Sequence, residues 1–330
     1  MGGLLLGVDG GNTKTIAVVA RRDGTVAGVA KSGLSDIHGA PTPSDGVGEI
    51  VRAVEAALAV AGASVGDVDA TTFSLAGADW PEDFVYLRGE LERRLGLGGE
   101  PAIVNDAVGA IRSGSPDWTG IAVVCGTGGA VGARNVRGDV FHYGFWPDGT
   151  GGGALGAQGL AAVWRADLGV GPETTLTGRA LQRWGCSDPL ELLHAFTRLD
   201  TPPIPVSEKS LFAEVVLDEA AAGDPVAVEI VTTAGTRLGD YGRLSADRVA
   251  LDDGFTVVLC GGVLRHPSPL LREAILARLP AGRPVTASTE PVVGAVLLAG
   301  DSVGDTLDLD AVSAALLSWT SRNGDAGATS

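Results

Sequence analysis

The sequence has few cysteines and no long apolar run. Its three cysteines, Cys125, Cys186 and Cys260, form no CxxC pair, which argues against a disulfide framework or a zinc site and suits a reducing cytoplasm. No apolar stretch approaches the roughly 18 residues that a transmembrane helix needs. The start of the chain has no basic segment followed by a long apolar stretch, so no signal peptide is predicted. We therefore expect a cytoplasmic protein with no membrane partner.

Positive charge is also scarce. The 330 residues include 24 Lys and Arg against 40 Asp and Glu, a formal net charge of −16. Because a nucleic-acid-binding protein needs a basic face for the phosphate backbone, nucleic acid is not an expected partner. A small phosphate ligand remains compatible with this charge, since backbone N–H groups and one or two cations can bind it locally.

Apolar runs separated by polar turns predict an α/β protein, and 330 residues are enough for two domains. The elements predicted in the first part are strands 4–8, 16–20 and 26–30, helix 47–61, strand 70–75, helix 81–95, strand 102–104 and helix 107–112. The same pattern restarts with strand 121–125, a Gly/Thr turn and strand 130–134, and strand 257–263 ends in a third glycine pair. A mostly helical stretch, 154–251, lies between the second and third copies. We interpret the pattern as a divergent internal duplication.

The turn after the first predicted strand carries more polar groups than a hairpin needs. It reads Asp9-Gly10-Gly11-Asn12-Thr13-Lys14, and Gly126-Thr127-Gly128-Gly129 follows the matching strand of the second half. Glycines let the backbone approach a ligand, while hydroxyls and a lysine add donors for phosphate. A carboxylate at the strand end suits hydrated Mg²⁺. Either turn alone could be a plain hairpin, but the pair predicts a phosphate and metal site in a cleft between the halves.

Asn105 and Asp106 follow the last predicted strand of the first half. A carboxylate at a strand end near a phosphate site can accept the proton of an attacking hydroxyl. An aspartate at this position could equally cap the helix 107–112. The two roles are compatible.

Four motifs together resemble those of the sugar kinase/actin/hsp70 superfamily. These are 7–15 (GVDGGNTKT), 105–107 (NDA), 126–128 (GTG) and 261–263 (GGV), which are similar to its phosphate-1, connect, phosphate-2 and adenosine motifs. Within the superfamily, the chain resembles the BadF/BadG/BcrA/BcrD ATPase family, in the branch that includes N-acetylglucosamine kinase. The resemblance extends from residue 4 to about residue 299.

The resemblance implies a two-lobed actin-like ATPase (ribonuclease H-like) fold of class α/β, with two duplicated domains and a nucleotide and sugar cleft between them. The implied division is an N-terminal lobe over 1–113, joined by a returning C-terminal helix at about 291–318, a C-terminal lobe over 114–290 and a flexible tail over 319–330. Relatives also imply a homodimer.

The implied activity is an ATP-dependent sugar kinase that phosphorylates the 6-hydroxyl of an amino sugar, first of all N-acetylglucosamine, with ATP and Mg²⁺ as cofactors. Asp106 matches the catalytic base and Asp9 the Mg²⁺-organising acid. The implied nucleotide contacts are Gly10, Gly11, Asn12, Thr13, Lys14, Thr127, Gly128, Gly261 and Gly262. The implied sugar contacts are Asp36, His38, Gly77, Asp79, Asn105, Asp106 and Asp148.

Two positions depart from the family pattern, since Asp36 replaces an asparagine and Gly149 a glutamate. An aspartate accepts hydrogen bonds but does not donate them, which could favour glucosamine or another hexose over an acetamido sugar.

An alternative of another class is an ATPase activator of a 2-hydroxyacyl-CoA dehydratase, which needs cysteines for an interfacial iron–sulfur cluster. The scattered cysteines weigh against it. His142, His194 and His266 show no metal-binding spacing and are interpreted as solvent or packing residues.

Overall fold

Two five-stranded mixed sheets of identical topology organise the protein. They are seen in a computed structural model that describes residues 3–97, 99–144, 149–205 and 207–323. The first sheet has the strand order β3-β2-β1-β4-β5, in which β1, β2 and β3 are antiparallel neighbours and β4 and β5 continue parallel to β1. Its strands are β1 (Leu4–Gly10), β2 (Thr15–Arg21), β3 (Val26–Ser32), β4 (Val68–Leu75) and β5 (Ala102–Asn105).

The second sheet repeats this arrangement in the order β10-β9-β6-β7-β8. Strands β6, β7 and β8 form the antiparallel meander, and β9 and β10 run parallel to β6. Its strands are β6 (Gly120–Cys125), β7 (Gly129–Arg134), β8 (Val140–Tyr143), β9 (Thr256–Cys260) and β10 (Arg283–Thr286). The turn after β1 and the turn after β6 therefore occupy equivalent positions.

Helices cover both faces of each sheet. They are α1 (Pro43–Ala61), α2 (Pro81–Leu95), α3 (Asp106–Ile111), α4 (Gly152–Asp167), α5 (Leu176–Trp184), α6 (Pro189–Thr197), α7 (Glu208–Ala221), α8 (Pro225–Arg248), α9 (Leu270–Leu276), α10 (Val292–Ser302) and α11 (Leu309–Asn323). Because side chains alternate along a strand, β1 sends Leu4, Leu6 and Val8 toward α1 and α2, and Leu5 toward α10 and α11. This double burial explains why β1 has no polar side chain from Leu4 to Val8.

The second sheet is also covered on both faces. Alternate residues of β6 join the large core formed with the helices from α4 to α9. The opposite face packs against α3 and Trp118. Helix α3 begins at the end of β5, in the first sheet, and packs onto β6 and β7 of the second. Its first residue therefore lies where the two sheets meet.

The prediction of helices and sheet strands is largely confirmed, with two strands missed. Helix α2 begins at Pro81 as predicted, whereas α1 begins at Pro43 instead of residue 47 because Thr42 accepts the Asp45 N–H and Pro43 is tolerated in the first turn. Helix α11 continues to Asn323 with Trp319 buried, and residues 324–330 of the predicted tail lie outside the described residues. Over the described ranges, no helix is both long and apolar enough to cross a membrane.

Candidate active site

A cavity of about 930 Å³ opens between the two sheets. Its walls come from the turns after β1 and β6, the loop after β9, the ends of β4 and β5, helix α7 and the start of α10. Most of the predicted site residues line it: Asp9, Gly11, Asn12, Thr13, Lys14, Asp36, Asp79, Asn105, Asp106, Thr127, Gly128, Gly261 and Gly262. Residues more than 250 positions apart in the sequence thus share one cavity.

The two glycine–threonine turns contact each other across this cavity. The Oγ1 atoms of Thr13 and Thr127 lie 2.7 Å apart. The turn after β6 is also bonded to the start of α4, because the Gly152 N–H donates to the Gly126 carbonyl at 2.8 Å. Gly151 makes this approach possible, since it has a φ of +125° and a Cβ there would lie 2.4 Å from the Gly128 carbonyl carbon.

One carboxylate joins the two cationic side chains of the cavity. Glu290 Oε2 lies 3.0 Å from Lys14 Nζ, and Glu290 Oε1 lies 3.0 Å from an Arg265 guanidinium nitrogen. Burial opposes ionisation of Glu290, but Lys14 and Arg265 outweigh it and hold the pKa of Glu290 below its usual value. Lys14 comes from the first sheet and Arg265 from the loop after β9, so Glu290 bridges the two sides.

Asp9 and Asp106 are half-buried carboxylates whose charges interact. Burial, followed by the charges of Asp106 and Glu290, raises the pKa of Asp9 to about 8, against the opposing charge of Lys14. Burial also raises the pKa of Asp106, to about 6, although the Ala107 N–H donates to its carboxylate at 2.8 Å and opposes the rise. The charge of Asp36 adds to the effect on Asp106. This side of the cavity is therefore rich in negative charge.

Asp79 and Asn105 line the cavity beside Asp106. The Asn105 side-chain NH₂ group donates to Asp79 Oδ1 at 3.0 Å, and Asn105 Oδ1 accepts the Ala107 N–H at 3.0 Å, which caps α3. The N-cap of α3 is therefore Asn105, and Asp106, considered above as a possible cap, is the first residue of the helix. Burial, then the charges of Asp106 and Asp36, raises the pKa of Asp79 to about 7.

Three of the predicted site residues that the structure describes, Gly10, His38 and Gly77, do not line the cavity. Gly10 packs against Ser35 and Leu75, and Gly77 lies against Ile37 and Asp36, so both allow close packing behind the cavity wall. His38 instead places its Nε2 atom 3.0 Å from Asp83 Oδ2. Asp148 lies outside the described residues.

Sequence reasoning missed several residues of the site. Glu290 and Arg265 belong to none of the four motifs, and their pairing becomes visible only in the fold. Helix α7 lines the cavity with Leu211, Ala213 and Leu217, apolar residues that resemble ordinary core positions in the sequence. His142, interpreted above as a solvent or packing residue, instead lies with its Nδ1 atom 3.5 Å from Asp79 Oδ1.

Two proteins named as N-acetylglucosamine kinases are similar to this chain in sequence. The N-acetyl-D-glucosamine kinase of Dictyostelium discoideum is 24% identical over 315 residues, which cover 91% of this chain and 98% of that protein. The N-acetylmuramic acid/N-acetylglucosamine kinase of Clostridium acetobutylicum is 24% identical over 303 residues, which cover 89% of this chain and 97% of that one.

A solved structure is similar to this chain in fold as well as in sequence. The crystal structure of a provisionally assigned N-acetylglucosamine kinase from Chromobacterium violaceum matches with a TM-score of 0.67 at 25% identity, covering 90% of this chain and 99% of that chain. The two-lobed actin-like fold expected from the motifs is thus confirmed. The sequence model of the BadF/BadG/BcrA/BcrD ATPase family matches residues 6–299, and the chain belongs to that family.

Proposed function

We propose that the protein is an ATP-dependent kinase that transfers the γ-phosphoryl group of ATP to the 6-hydroxyl of an amino sugar. The observation that carries the proposal is the shared cavity, in which two glycine–threonine turns face the carboxylate of Asp106. Phosphoryl transfer needs phosphate binding, charge stabilisation and a base for the attacking hydroxyl. The cavity offers a candidate for each.

The nucleotide would occupy the side of the cavity formed by the turns and the loop after β9. Thr13, Lys14, Thr127 and Gly128 would bind its phosphates through hydroxyl, ammonium and backbone donors. Gly261 and Gly262 would lie along the adenosine, and the apolar residues of α7 would contact the base. In this assignment the phosphates compete with Glu290 for Lys14 and Arg265.

The donor set near Asp9 fits Mg²⁺. The carboxylates of Asp106 and Glu290 lie close enough to Asp9 for their charges to raise its pKa, and a divalent cation with oxygen ligands would relieve that repulsion. Asp9 would hold the ion, directly or through water, beside the phosphate oxygens. When bound, Mg²⁺ would neutralise charge that develops on the phosphates.

Asp106 would act as the base. It lines the cavity at the start of α3, and its pKa of about 6 leaves it mostly ionised at neutral pH. An ionised carboxylate can accept the proton of the attacking sugar hydroxyl. Asp36, Asp79 and Asn105 line the same end of the cavity and would contact the other sugar groups.

N-acetylglucosamine is the acceptor that the names of the relatives support. Asp36 favours glucosamine as a second candidate, because a carboxylate accepts hydrogen bonds from an ammonium group but cannot donate to an acetamide carbonyl. The homodimer and the cytoplasmic location remain predictions from the sequence.

The dehydratase-activator alternative fits the cysteines poorly. Cys125 and Cys260 are buried at the ends of β6 and β9, and Cys186 is half-buried in the loop between α5 and α6. Burial raises the pKa of Cys125 to about 12 and also raises the pKa of Cys260. Cluster ligands are thiolates, so the described cysteines do not form an interfacial ligand set.

The test is ADP release from Mg-ATP against a panel of acceptors. The panel contains N-acetylglucosamine, glucosamine, N-acetylmannosamine, N-acetylmuramic acid, glucose and no sugar. Turnover with an amino sugar, together with a 6-phosphate product identified by NMR, is the expected result. ADP release that does not depend on any sugar would overturn the proposal and favour an ATPase role.

A further inference from the structure

His142 belongs to the second lobe but contacts Asp79 of the first lobe. Asp79 lines the end of the cavity assigned above to the sugar, which we call the acceptor end. His142 lies on β8, the edge strand of the second sheet, while Asp79 follows β4 of the first. The His142 Nδ1 atom is 3.5 Å from Asp79 Oδ1. Burial lowers the pKa of His142, and a hydrogen bond between its ring and the Asp79 backbone opposes the drop. The ring therefore meets both the side chain and the main chain of Asp79.

Asp79 connects this histidine to the proposed base. Its side chain is only 7% exposed, and the same oxygen that faces His142 accepts the Asn105 side-chain amide at 3.0 Å. Asn105 in turn caps α3 through the Ala107 N–H. Asp106 is the first residue of that helix. A continuous chain of contacts thus runs from β8 in the second lobe to Asp106.

The position of this contact differs from that of two other polar contacts between the lobes. The Thr13–Thr127 contact and the Lys14–Glu290–Arg265 bridge lie at the nucleotide end of the cavity. The contact between His142 and Asp79 lies at the acceptor end, where Asp79 and Asn105 line the wall. It is formed only when the two lobes are together, because its partners come from different sheets.

We propose that His142 is a positioning residue for the acceptor: by donating to Asp79 across the cleft, it holds Asp79 and, through Asn105, the start of α3 in the arrangement that binds the sugar hydroxyls. This inference rests on the proposed kinase function. It makes the geometry of the acceptor site depend on lobe closure, so that the sugar contacts are complete only when water is excluded from the phosphoryl group.

The test compares steady-state kinetics of His142→Ala and His142→Asn with wild type, using the best acceptor of the panel. An asparagine N–H can occupy nearly the position of the histidine Nδ1–H. We expect His142→Ala to raise the KM for the sugar by roughly tenfold or more, which is the loss of about one hydrogen bond. The KM for ATP should stay within about twofold of the wild-type value. The sugar KM of His142→Asn should be close to that of wild type.

His194→Ala is the matched control, since His194 lies exposed on α6 of the same lobe, away from the cavity. It should behave as wild type. Any of three results would overturn the inference. The first is an unchanged sugar KM in His142→Ala, and the second is an equal rise in the KM for ATP and the KM for sugar. The third is a sugar KM in His142→Asn as high as that of His142→Ala. If wild type turns over no sugar, the proposed function fails first, and the two failures are thereby distinguished.

Discussion

Single carboxylates in the cavity differ in how strongly the fold opposes their ionisation. The pKa values are about 8 for Asp9, 7 for Asp79 and 6 for Asp106. Burial is the largest cause for all three. Asp106 has the lowest value because a backbone N–H donates directly to its carboxylate. Of the three, it is the group best suited to be an ionised base at neutral pH.

Replacing Asp106 by asparagine should abolish most turnover and leave nucleotide binding intact. The variant keeps an oxygen that can accept the Ala107 N–H, so the start of α3 is preserved, but it cannot accept a proton. We expect kcat to fall by roughly 10²- to 10⁴-fold. ADP release measures the first effect, and calorimetric titration with ATP measures the second. Asp106→Ala should show the same split, and retained kinase activity in either variant would refute the role as base.

The pH profile provides an independent test of the same residue. A base must be ionised to work, so kcat/KM should fall about tenfold per pH unit as the pH drops below about 6. The charge of Asp36 contributes to the raised pKa of Asp106. Asp36→Asn should therefore move the midpoint to lower pH, whatever it does to the maximum rate. A midpoint that does not move would show that another group controls the profile.

At the scale of helices and strands, local sequence predicted much of the fold. Pro81 followed by two acids indicated the start of α2, and the structure begins the helix there, with Asp83 accepting the Trp80 N–H. Strands β8 and β10 were missed. Both are four-residue edge strands, all four residues of β10 are classed as exposed, and β10 contains Pro284. Such strands lack the apolar alternation on which prediction depends, and form because a neighbouring strand offers an edge.

The loop after β9 contains two adjacent glycines of the adenosine motif, and the two differ in backbone conformation and in the space around them. Gly261 has a φ of +102°, and a Cβ there would lie 2.4 Å from the Cys125 carbonyl oxygen. Gly262 has a φ of −58° and open space around its Cβ position. We expect Gly261→Ala to destabilise the protein by at least about 1–3 kcal/mol and to raise the KM for ATP. Thermal unfolding and ATP kinetics measure the two effects.

Gly262→Ala is the matched control for that substitution. It should leave thermal unfolding unchanged, because no protein atom opposes the added methyl group. Any rise in its KM for ATP would then report direct contact with the nucleotide. If both variants unfold at the same temperature as wild type, the conformation described for this loop is wrong.

At the scale of the whole molecule, the duplication places equivalent helices across the boundary between the sheets. Helix α3 follows the fifth strand of the first sheet and packs onto the second, while α10 follows the fifth strand of the second sheet and packs onto the first. The start of α3 carries Asp106, and Glu290 lies just before α10. The motif turns could be predicted from sequence because each is local. Glu290, Arg265 and His142 could not, because their roles arise only from contacts between distant segments.

The last prediction concerns the bridge that Glu290 forms between the lobes. If Lys14 and Arg265 bind phosphate, Glu290 competes with the nucleotide for both. Glu290→Gln should then bind ADP, in the absence of divalent metal, roughly 3- to 10-fold more tightly than wild type, because each partly exposed ion pair is worth up to about 1 kcal/mol. Titration calorimetry without Mg²⁺ measures this affinity and keeps metal binding out of the comparison.

Glu214→Gln is the matched control, because it removes the same charge from the same cavity. It distinguishes competition between Glu290 and the nucleotide from a general change in the electrostatic potential of the cavity. Glu214 lines the cavity from α7 and has no ion pair with any residue that the structure describes. Its substitution should change ADP affinity by less than about twofold, since repulsion from an exposed carboxylate is strongly screened. Adding Lys14→Ala to Glu290→Gln should cancel much of the gain. An equal gain in both glutamine variants would mean that the negative charge of the cavity, and not the Lys14–Glu290–Arg265 bridge, limits nucleotide binding.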